Sequence, residues 1–357
     1  MRQLVSDLLA DVGLDLIGIV EPTYPDDAQR FRSWLQHGVP EGLSYLHRYI
    51  DKRTNPAALV EPSARSCVVF STKYSVDKSL YPTYQNPKVA EYAYFKDYHK
   101  VMKKSAETFA ARLSQELGEP LQYKVAIDSS PVLERALASK ASSGFIGKNS
   151  MFIDPKQGSY ILLGEVFFAR AFDLDKQEKI DHAKRTAAGG CGSCKRCQVY
   201  CPTGALNSAY KLDVNKCLAY WSIENRGTVP FEFWPHFKKY LFGCDECQSV
   251  CPYNRGKPHS TKMPDLPILD LYDIATMGQS EYEAWFGGLP LTRAKIYGLK
   301  RNALIAMTVG CHDKLRCAQV QLLYSRWEIL QQTAKMSLIY DYKKCGGGDL
   351  NPHGLRH

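Results

Sequence analysis

Seven of the twelve cysteines fall into two offset runs, and Cys217 between them makes an eighth. Cys191, Cys194, Cys197 and Cys201-Pro202 follow the spacing C-x-x-C-x-x-C-x-x-x-C-P, and Cys244, Cys247 and Cys251-Pro252 repeat its last part. In bacterial two-cluster ferredoxins, three thiolates of such a run hold one iron-sulfur cubane, and the fourth, before the proline, reaches across to the other. In the second run Leu241 stands where the leading cysteine would be, and Cys217 is the natural replacement. The crossing rule then gives one 4Fe-4S cluster to Cys191, Cys194, Cys197 and Cys251, and a second to Cys201, Cys217, Cys244 and Cys247. The competing chemistry is a pair of four-cysteine zinc sites, which C-x-x-C pairs also allow. Zinc requires neither the Cys-Pro closures nor the interleaving. Disulfides fit poorly, since no signal peptide precedes the chain and cytosolic thiols stay reduced.

Two clusters move electrons singly and do not define a reaction, so other reactive groups must stand beside them. The stretch Asp128-Ser129-Ser130-Pro131-Val132-Leu133-Glu134-Arg135 follows a strand-like segment, and ligands of α/β folds gather at the carboxyl ends of strands. A buried aspartate there can stay protonated and act as a general acid. It can equally cap a helix entered through Pro131. The loop from Ser143 to Ser150 has glycines that could bring backbone close to a ligand, but not the spacing of a P-loop. No G-x-G-x-x-G follows a strand candidate, which argues against a nicotinamide site. His99, at a helix start, reads as structural, and Cys67, Cys311, Cys317 and Cys345 read as simple thiols.

The elements that must position these groups follow from periodicity. Strand-like runs lie at 16–20, 66–70, 123–127 and 160–168, and helical patterns at 28–37, 98–117 and 132–142. Leu4, Leu8, Leu9 and Val12 form an amphipathic helix at the start of the chain. This alternation predicts an α/β domain over 1–172, a sheet with covering helices large enough to enclose a cofactor. Residues 173–262 are cysteine- and turn-rich and need metal ligation for stability. After a proline-broken linker, 263–345 show helical periodicity at 295–308 and 317–339, which fits a short helical repeat. The tail, 346–357, has no periodicity and is expected to be disordered.

The chain has 357 residues, is 45% hydrophobic, and carries a net charge of +9. Its longest apolar runs fall short of the about 20 residues a membrane helix needs, so a cytoplasmic protein with no membrane partner is expected. Residues 289–316 concentrate six cations (Arg293, Lys295, Lys300, Arg301, Lys314 and Arg316) against Asp313. They could neutralise nucleic-acid phosphates or form a solvated helix face. Nothing demands an obligate partner, and a monomer is expected.

Taken together the residues resemble the epoxyqueuosine reductase family. The match runs through Pro40-Glu41-Gly42-Leu43-Ser44-Tyr45-Leu46, Arg53-Thr54-Asn55-Pro56, Asp97-Tyr98-His99, Asp128 to Arg135, Gly144 to Asn149, Gly158-Ser159, Gly164-Glu165, the eight cysteines and Arg301-Asn302-Ala303-Leu304-Ile305-Ala306. The resemblance implies a cobalamin-binding α/β domain, a ferredoxin-like two-cluster domain and a C-terminal HEAT-like segment that binds tRNA. It implies reduction of epoxyqueuosine to queuosine at the wobble position of tRNA. The cobalamin would be base-off, since no D-x-H-x-x-G element offers a lower ligand, and an external low-potential donor would feed the clusters. It places the proton donor at Asp128, against the capping reading, and the corrin or substrate contacts at Arg53, Tyr98, Asp128, Arg135, Asn149, Ser159, Gly243 and Asp245. Arg293, Lys295, Lys300 and Arg301 become tRNA contacts. The alternatives are a corrinoid reductive dehalogenase, a non-catalytic electron-transfer protein, and a tRNA-binding protein with structural clusters.

Overall fold

The computed structural model describes residues 1–74, 88–141, 144–173, 190–257, 265–267 and 269–344. The tail at 346–357, Cys345, Ser143 and the start of the linker at 263–264 lie outside them. Eight strands run in chain order: β1 (Asp15–Val20), β2 (Ser66–Lys73), β3 (Lys88–Val89), β4 (Tyr123–Ala126), β5 (Phe145–Ile146), β6 (Phe152–Ile153), β7 (Ile161–Phe168) and β8 (Tyr240–Phe242). The first five α-helices are α1 (Arg2–Ala10), α2 (Pro25–Gln36), α3 (Ile50–Thr54), α4 (Tyr98–Glu116) and α5 (Glu134–Ala141).

The chain forms two compact units. Among the described residues, unit one comprises 1–74, 95–141, 144–173, 190–217 and 245–257, and unit two comprises 88–94, 218–244, 265–267 and 269–344. These divisions do not follow the boundaries expected at 172 and 262. The chain leaves unit one after Cys217 and re-enters it at Asp245, so the cysteine-rich segment is shared out between the units.

Unit one is built on a four-stranded sheet of order β1-β2-β7-β4. Alternation along the strands sends side chains to opposite faces. Val68, Phe70, Val166 and Phe168 pack with α1 and α4 residues such as Leu9, Phe109 and Leu113. Cys67, Val69 and Phe167 pack beneath α5 with Leu137 and Ala138. Both faces are covered, which is why 66–70 read as a continuous apolar run. Every pairing in this sheet is antiparallel, so the sheet is not the parallel one that the strand-end rule for α/β folds presupposes. Asp128 still follows the end of β4, because the chain turns sharply there.

Helix α5 starts at Glu134, three residues beyond the proline expected to open it. The amides that a helix from Pro131 would leave exposed are bonded elsewhere: Val132 N–H donates to Ser130 O, and Leu133 N–H to the Tyr24 hydroxyl at 3.2 Å.

Unit two packs around Trp234, Phe237, Leu218, Val229 and Ile305, and β3 pairs in parallel with β8. Its central helix, Lys295–Gly310, is buried on nearly all sides. The helix expected over 317–339 is two, Leu315–Leu323 and Glu328–Lys344. They are divided where the Ser325 hydroxyl accepts the Trp327 N–H and its carbonyl accepts the Gln331 side chain. Among the described residues no helix is long and apolar enough to cross a membrane.

Candidate active site

In unit one, the turn after β4 holds Asp128 at φ 41°, a left-handed conformation that costs a non-glycine residue roughly 1–2 kcal/mol. Its side chain is 54% exposed, so the expectation of a buried aspartate is not met. Nor does it cap α5. Its Oδ2 instead accepts two hydrogen bonds, from the Tyr98 hydroxyl at 2.7 Å and from His99 Nε2 at 2.9 Å.

The donors are adjacent because α4 begins with them. Asp97 caps that helix by accepting the His99 amide, and the same oxygen meets His99 Nδ1 at 2.6 Å. The rings of Tyr98 and His99 stack with centroids 4.2 Å apart. The bond to Asp128 raises the His99 pKa to about 9, with Asp97 adding to it against the opposing effect of burial. At neutral pH the imidazolium thus donates from both nitrogens, one to each aspartate. His99, read from sequence as structural, belongs to the site. The signal was there in the Asp97-x-His99 spacing, but its second partner lies 29 residues further along the chain.

Beneath the turn, Glu134 Oε1 accepts the Asp128 backbone N–H at 2.5 Å. Burial and then the Asp128 charge raise its pKa to about 8. Glu165, on β7 and fully buried, has no hydrogen-bond partner for either carboxyl oxygen, and burial drives its pKa far up. Neighbouring carboxyls in so dry a place favour the neutral form. Arg53, half-buried, lies over Phe31 at 5.8 Å and donates to Val132 O, and its Nε is buried without a partner. Arg135, at the start of α5, donates to Ser150 O.

The first set of cysteines assembles wholly within unit one. Cys191, Cys194, Cys197 and Cys251 line a cavity of about 300 Å³ together with Lys148, Ile153, Arg196 and Tyr253. Burial, then the thiols of Cys191, Cys251 and Cys194, push the Cys197 thiol up, so four sulfurs share one small volume. Cys191, Cys194, Cys197 and Cys251 thus stand on the wall of one cavity, the grouping that the crossing rule gives to one cluster. Of the second set, Cys201, Cys217 and Cys247 are carried by unit one, and Cys244 closes a segment of unit two.

The glycine-interrupted loop brings backbone to the first cysteine run. Lys148 N–H points to Cys191 Sγ at 3.4 Å, and its Nζ donates to Gly192 O at 2.6 Å and Cys194 O at 2.9 Å. The next residue, Asn149, donates to Cys247 O and accepts from Met151 N–H. Two consecutive side chains therefore tie the loops of both cysteine runs.

Several residues expected at the corrin are engaged by the protein itself. Asn149 is used as just described. Ser159 is 1% exposed and bonds Gln248 and Asn254, which anchors the second cysteine run. Asp245 is buried and accepts from the Gln248 side chain. Gly243, in unit two, adopts φ 71° and donates to the Ser222 hydroxyl; a Cβ there would collide with Ala90. Arg53, Tyr98, Asp128 and Arg135 are the members of that set gathered around the turn after β4.

The expected phosphate contacts need a larger correction. Arg301 is fully buried, and its guanidinium donates to the carbonyls of Trp221, Asn225 and Gly227 as well as to Asn302 Oδ1. Lys300 is buried and donates to Met277 O at 2.7 Å. Neither can meet a phosphate, because desolvating these cations is offset only by internal carbonyls. Arg293 is exposed but holds Glu224 in a bidentate pair, and Lys295 is exposed.

Residues 53–129 match a family model described as "Epoxyqueuosine reductase QueG, DUF1730", and residues 190–254 match one described as "4Fe-4S double cluster binding domain". The first stretch runs from Arg53 through Tyr98 and His99 to Asp128, and the second holds all eight cysteines. An epoxyqueuosine reductase from Cyclobacterium marinum is 34% identical, over 84% of this chain and 94% of its own length. One from Pseudomonas aeruginosa is 30% identical, over 86% of this chain and 85% of its own. The structure of epoxyqueuosine reductase from Streptococcus thermophilus shares the fold, at a TM-score of 0.84 and 24% identity over 99% of this chain and 96% of that one. A crystal structure of epoxyqueuosine reductase with an epoxyqueuosine-modified tRNA stem loop also shares it, at a TM-score of 0.83 and 23% identity over 99% of this chain and 95% of that one.

Proposed function

The chain belongs to the epoxyqueuosine reductase family, and on that premise we propose that it reduces epoxyqueuosine in tRNA to queuosine with Asp128 as the proton donor. The observation that carries the reading is the Asp128 carboxylate itself, half exposed in a left-handed turn with one oxygen held by Tyr98 and His99. Loss of an epoxide oxygen takes two electrons and two protons: two C–O bonds break, a C=C bond forms, and the oxygen departs as water. Cobalamin, when bound, supplies a strongly reducing metal centre for the electron pair. The partnerless buried Nε of Arg53 is a donor suited to such a group, and Arg53, Tyr98 and Arg135 would hold it beside Asp128.

The proton that Asp128 delivers to the departing oxygen comes from the His99 imidazolium hydrogen-bonded to its carboxylate, so the two act as a relay; Asp97 holds the ring in place, and solvent returns the proton to His99 and supplies the second. The two cysteine sets would hold clusters that supply electrons one at a time. In tRNA binding, the exposed Lys295 and Arg316 take over the role expected of Lys300 and Arg301, since phosphate contacts position the substrate and need solvent-facing cations.

The test is anaerobic reconstitution with iron, sulfide and cobalamin, followed by nucleoside mass spectrometry of epoxyqueuosine-containing tRNA. Conversion that needs both cofactors is expected from the native chain. Asp128→Asn should retain cluster absorbance and bound corrin yet convert at least about 100-fold more slowly, as removal of a general acid does. Near-native turnover by that variant would remove Asp128 from the mechanism.

A further inference from the structure

Residues 190–217 carry ligands of both clusters, and they have an unusual surface. Val199 is 75% exposed, Tyr200 58%, and Tyr210 46%. With Leu212 they make up four of the twelve exposed large hydrophobic side chains among the described residues, all within 14 positions. Single exposed apolar residues are ordinary, but a concentration of them marks an interaction site. This one belongs to the same segment as five of the eight cysteines. Val199 and Tyr200 fill the interval between Cys197, a ligand of the first cluster, and Cys201, assigned to the second. The Tyr210 amide donates to Lys148 O, and Lys148 and Arg196 line the first cluster's cavity.

The same segment is basic. Lys195, Arg196, Lys211 and Lys216 face one acid, Asp213, which is paired with Lys216 at 3.4 Å. Lys195, Arg196 and Lys211 are exposed, and among the described residues none of them is in an ion pair. Tyrosine and arginine with a charged rim are the composition of a protein-binding surface, and its sign selects an acidic partner.

We propose that Val199, Tyr200 and Tyr210, rimmed by Lys195, Arg196 and Lys211, form the docking surface for a small acidic protein that donates one electron at a time. This rests on the reductase reading, which requires an external donor. Each docking passes one electron from the partner to a cluster, oxidising the partner by one and reducing the cluster by one, and two dockings meet the two-electron demand of the reaction. An approach over residues 197–201 is close to ligands of both clusters.

The experiment uses the cluster-loaded protein and stopped-flow bleaching of cluster absorbance, with reduced flavodoxin as the acidic donor and photoreduced deazaflavin as a small one. Two variants are compared with the native chain, Lys195→Glu with Lys211→Glu, and Val199→Ser with Tyr200→Ser. Reduction by flavodoxin should slow at least about tenfold in the charge variant and lose its dependence on salt, as steering is lost. It should also slow in the apolar variant. Reduction by deazaflavin and affinity for tRNA should stay at native values in both. Unchanged flavodoxin rates would overturn the proposal. So would a parallel loss with deazaflavin, which would tie these residues to cluster integrity, or a fall in tRNA affinity without a change in flavodoxin rate, which would give the surface to RNA. Because bleaching is read without substrate, failure of the reductase reading leaves this result interpretable.

Discussion

The carboxyl of Glu134 receives the backbone N–H of Asp128 across 2.5 Å, fixing a left-handed residue by its own amide. That acceptor fixes the amide, while Tyr98 and His99 fix the side chain of the same residue. Glu134→Gln keeps an acceptor oxygen and should retain turnover near the native value. Glu134→Leu removes it and should lower kcat at least about tenfold with clusters intact, the scale of a small misplacement of a catalytic group. Equal rates in the two variants would count against positioning through the amide.

The same residue sets a pH dependence. Its folded pKa of about 8 lies above the ordinary 4.5, so the folded chain holds this proton more tightly than the unfolded one. The stabilisation is complete below pH 4.5 and is lost as pH rises through 8. Glu134→Gln should flatten that part of the profile, measured as denaturant midpoints at pH 5, 7 and 9.

His99 gives a second, separable window. Its pKa is raised from 6.5 to about 9 by Asp128 and Asp97. The contribution is present below pH 6.5 and disappears as pH climbs through 9. NMR titration of the His99 ring should show a midpoint about 9 that falls in Asp128→Asn. A native midpoint at 6.5 would mean that the imidazolium does not bridge the two aspartates.

Lys148→Met should release the Gly192 and Cys194 carbonyls and the N-terminal half of the first cysteine run. Iron per chain should drop toward that of one cluster after anaerobic desalting, while Asp128-dependent features such as the His99 titration persist. Full iron retention would show that the backbone contact to Cys191 suffices.

Arg301→Met should destabilise unit two by about 3 kcal/mol or more, because three buried carbonyls lose their donor. Arg301→Lys recovers little, since an ammonium cannot reproduce the planar fork that reaches Trp221, Asn225 and Gly227. Lys295→Glu, on an exposed side chain, should leave the unfolding midpoint nearly unchanged and weaken tRNA binding in a salt-dependent way. These outcomes are read by chemical unfolding and by tRNA titration at two salt concentrations.

Much of the scaffold was legible because local patterns suffice for it. The strands at 66–70 and 160–168 are apolar on both faces, and the structure covers both faces. Helix α4 announces itself through its periodicity and Asp97 cap. The cysteine spacing grouped four thiols that line one cavity. What stayed hidden depended on distant partners. The antiparallel sheet order follows from strand pairing that no local period encodes. Tyr24, which takes the Leu133 amide and delays α5, is 109 residues away. Arg301 and Lys300 looked like surface charge because positive residues ordinarily are, and only the carbonyls of residues 221–227 and of Met277 explain their burial.

The excursion of residues 218–244 out of unit one separates five of the eight cysteines from the last two and ends on Cys244. Its middle is held by contacts that involve no sulfur: the Trp234 indole bonds Val229 O, Asn302 bonds the carbonyls of Ser222 and Leu241, and Arg301 clamps the turn at 225–227. Because these bonds need no metal, they shorten the loop that must close to bring the thiols of the two cysteine runs together.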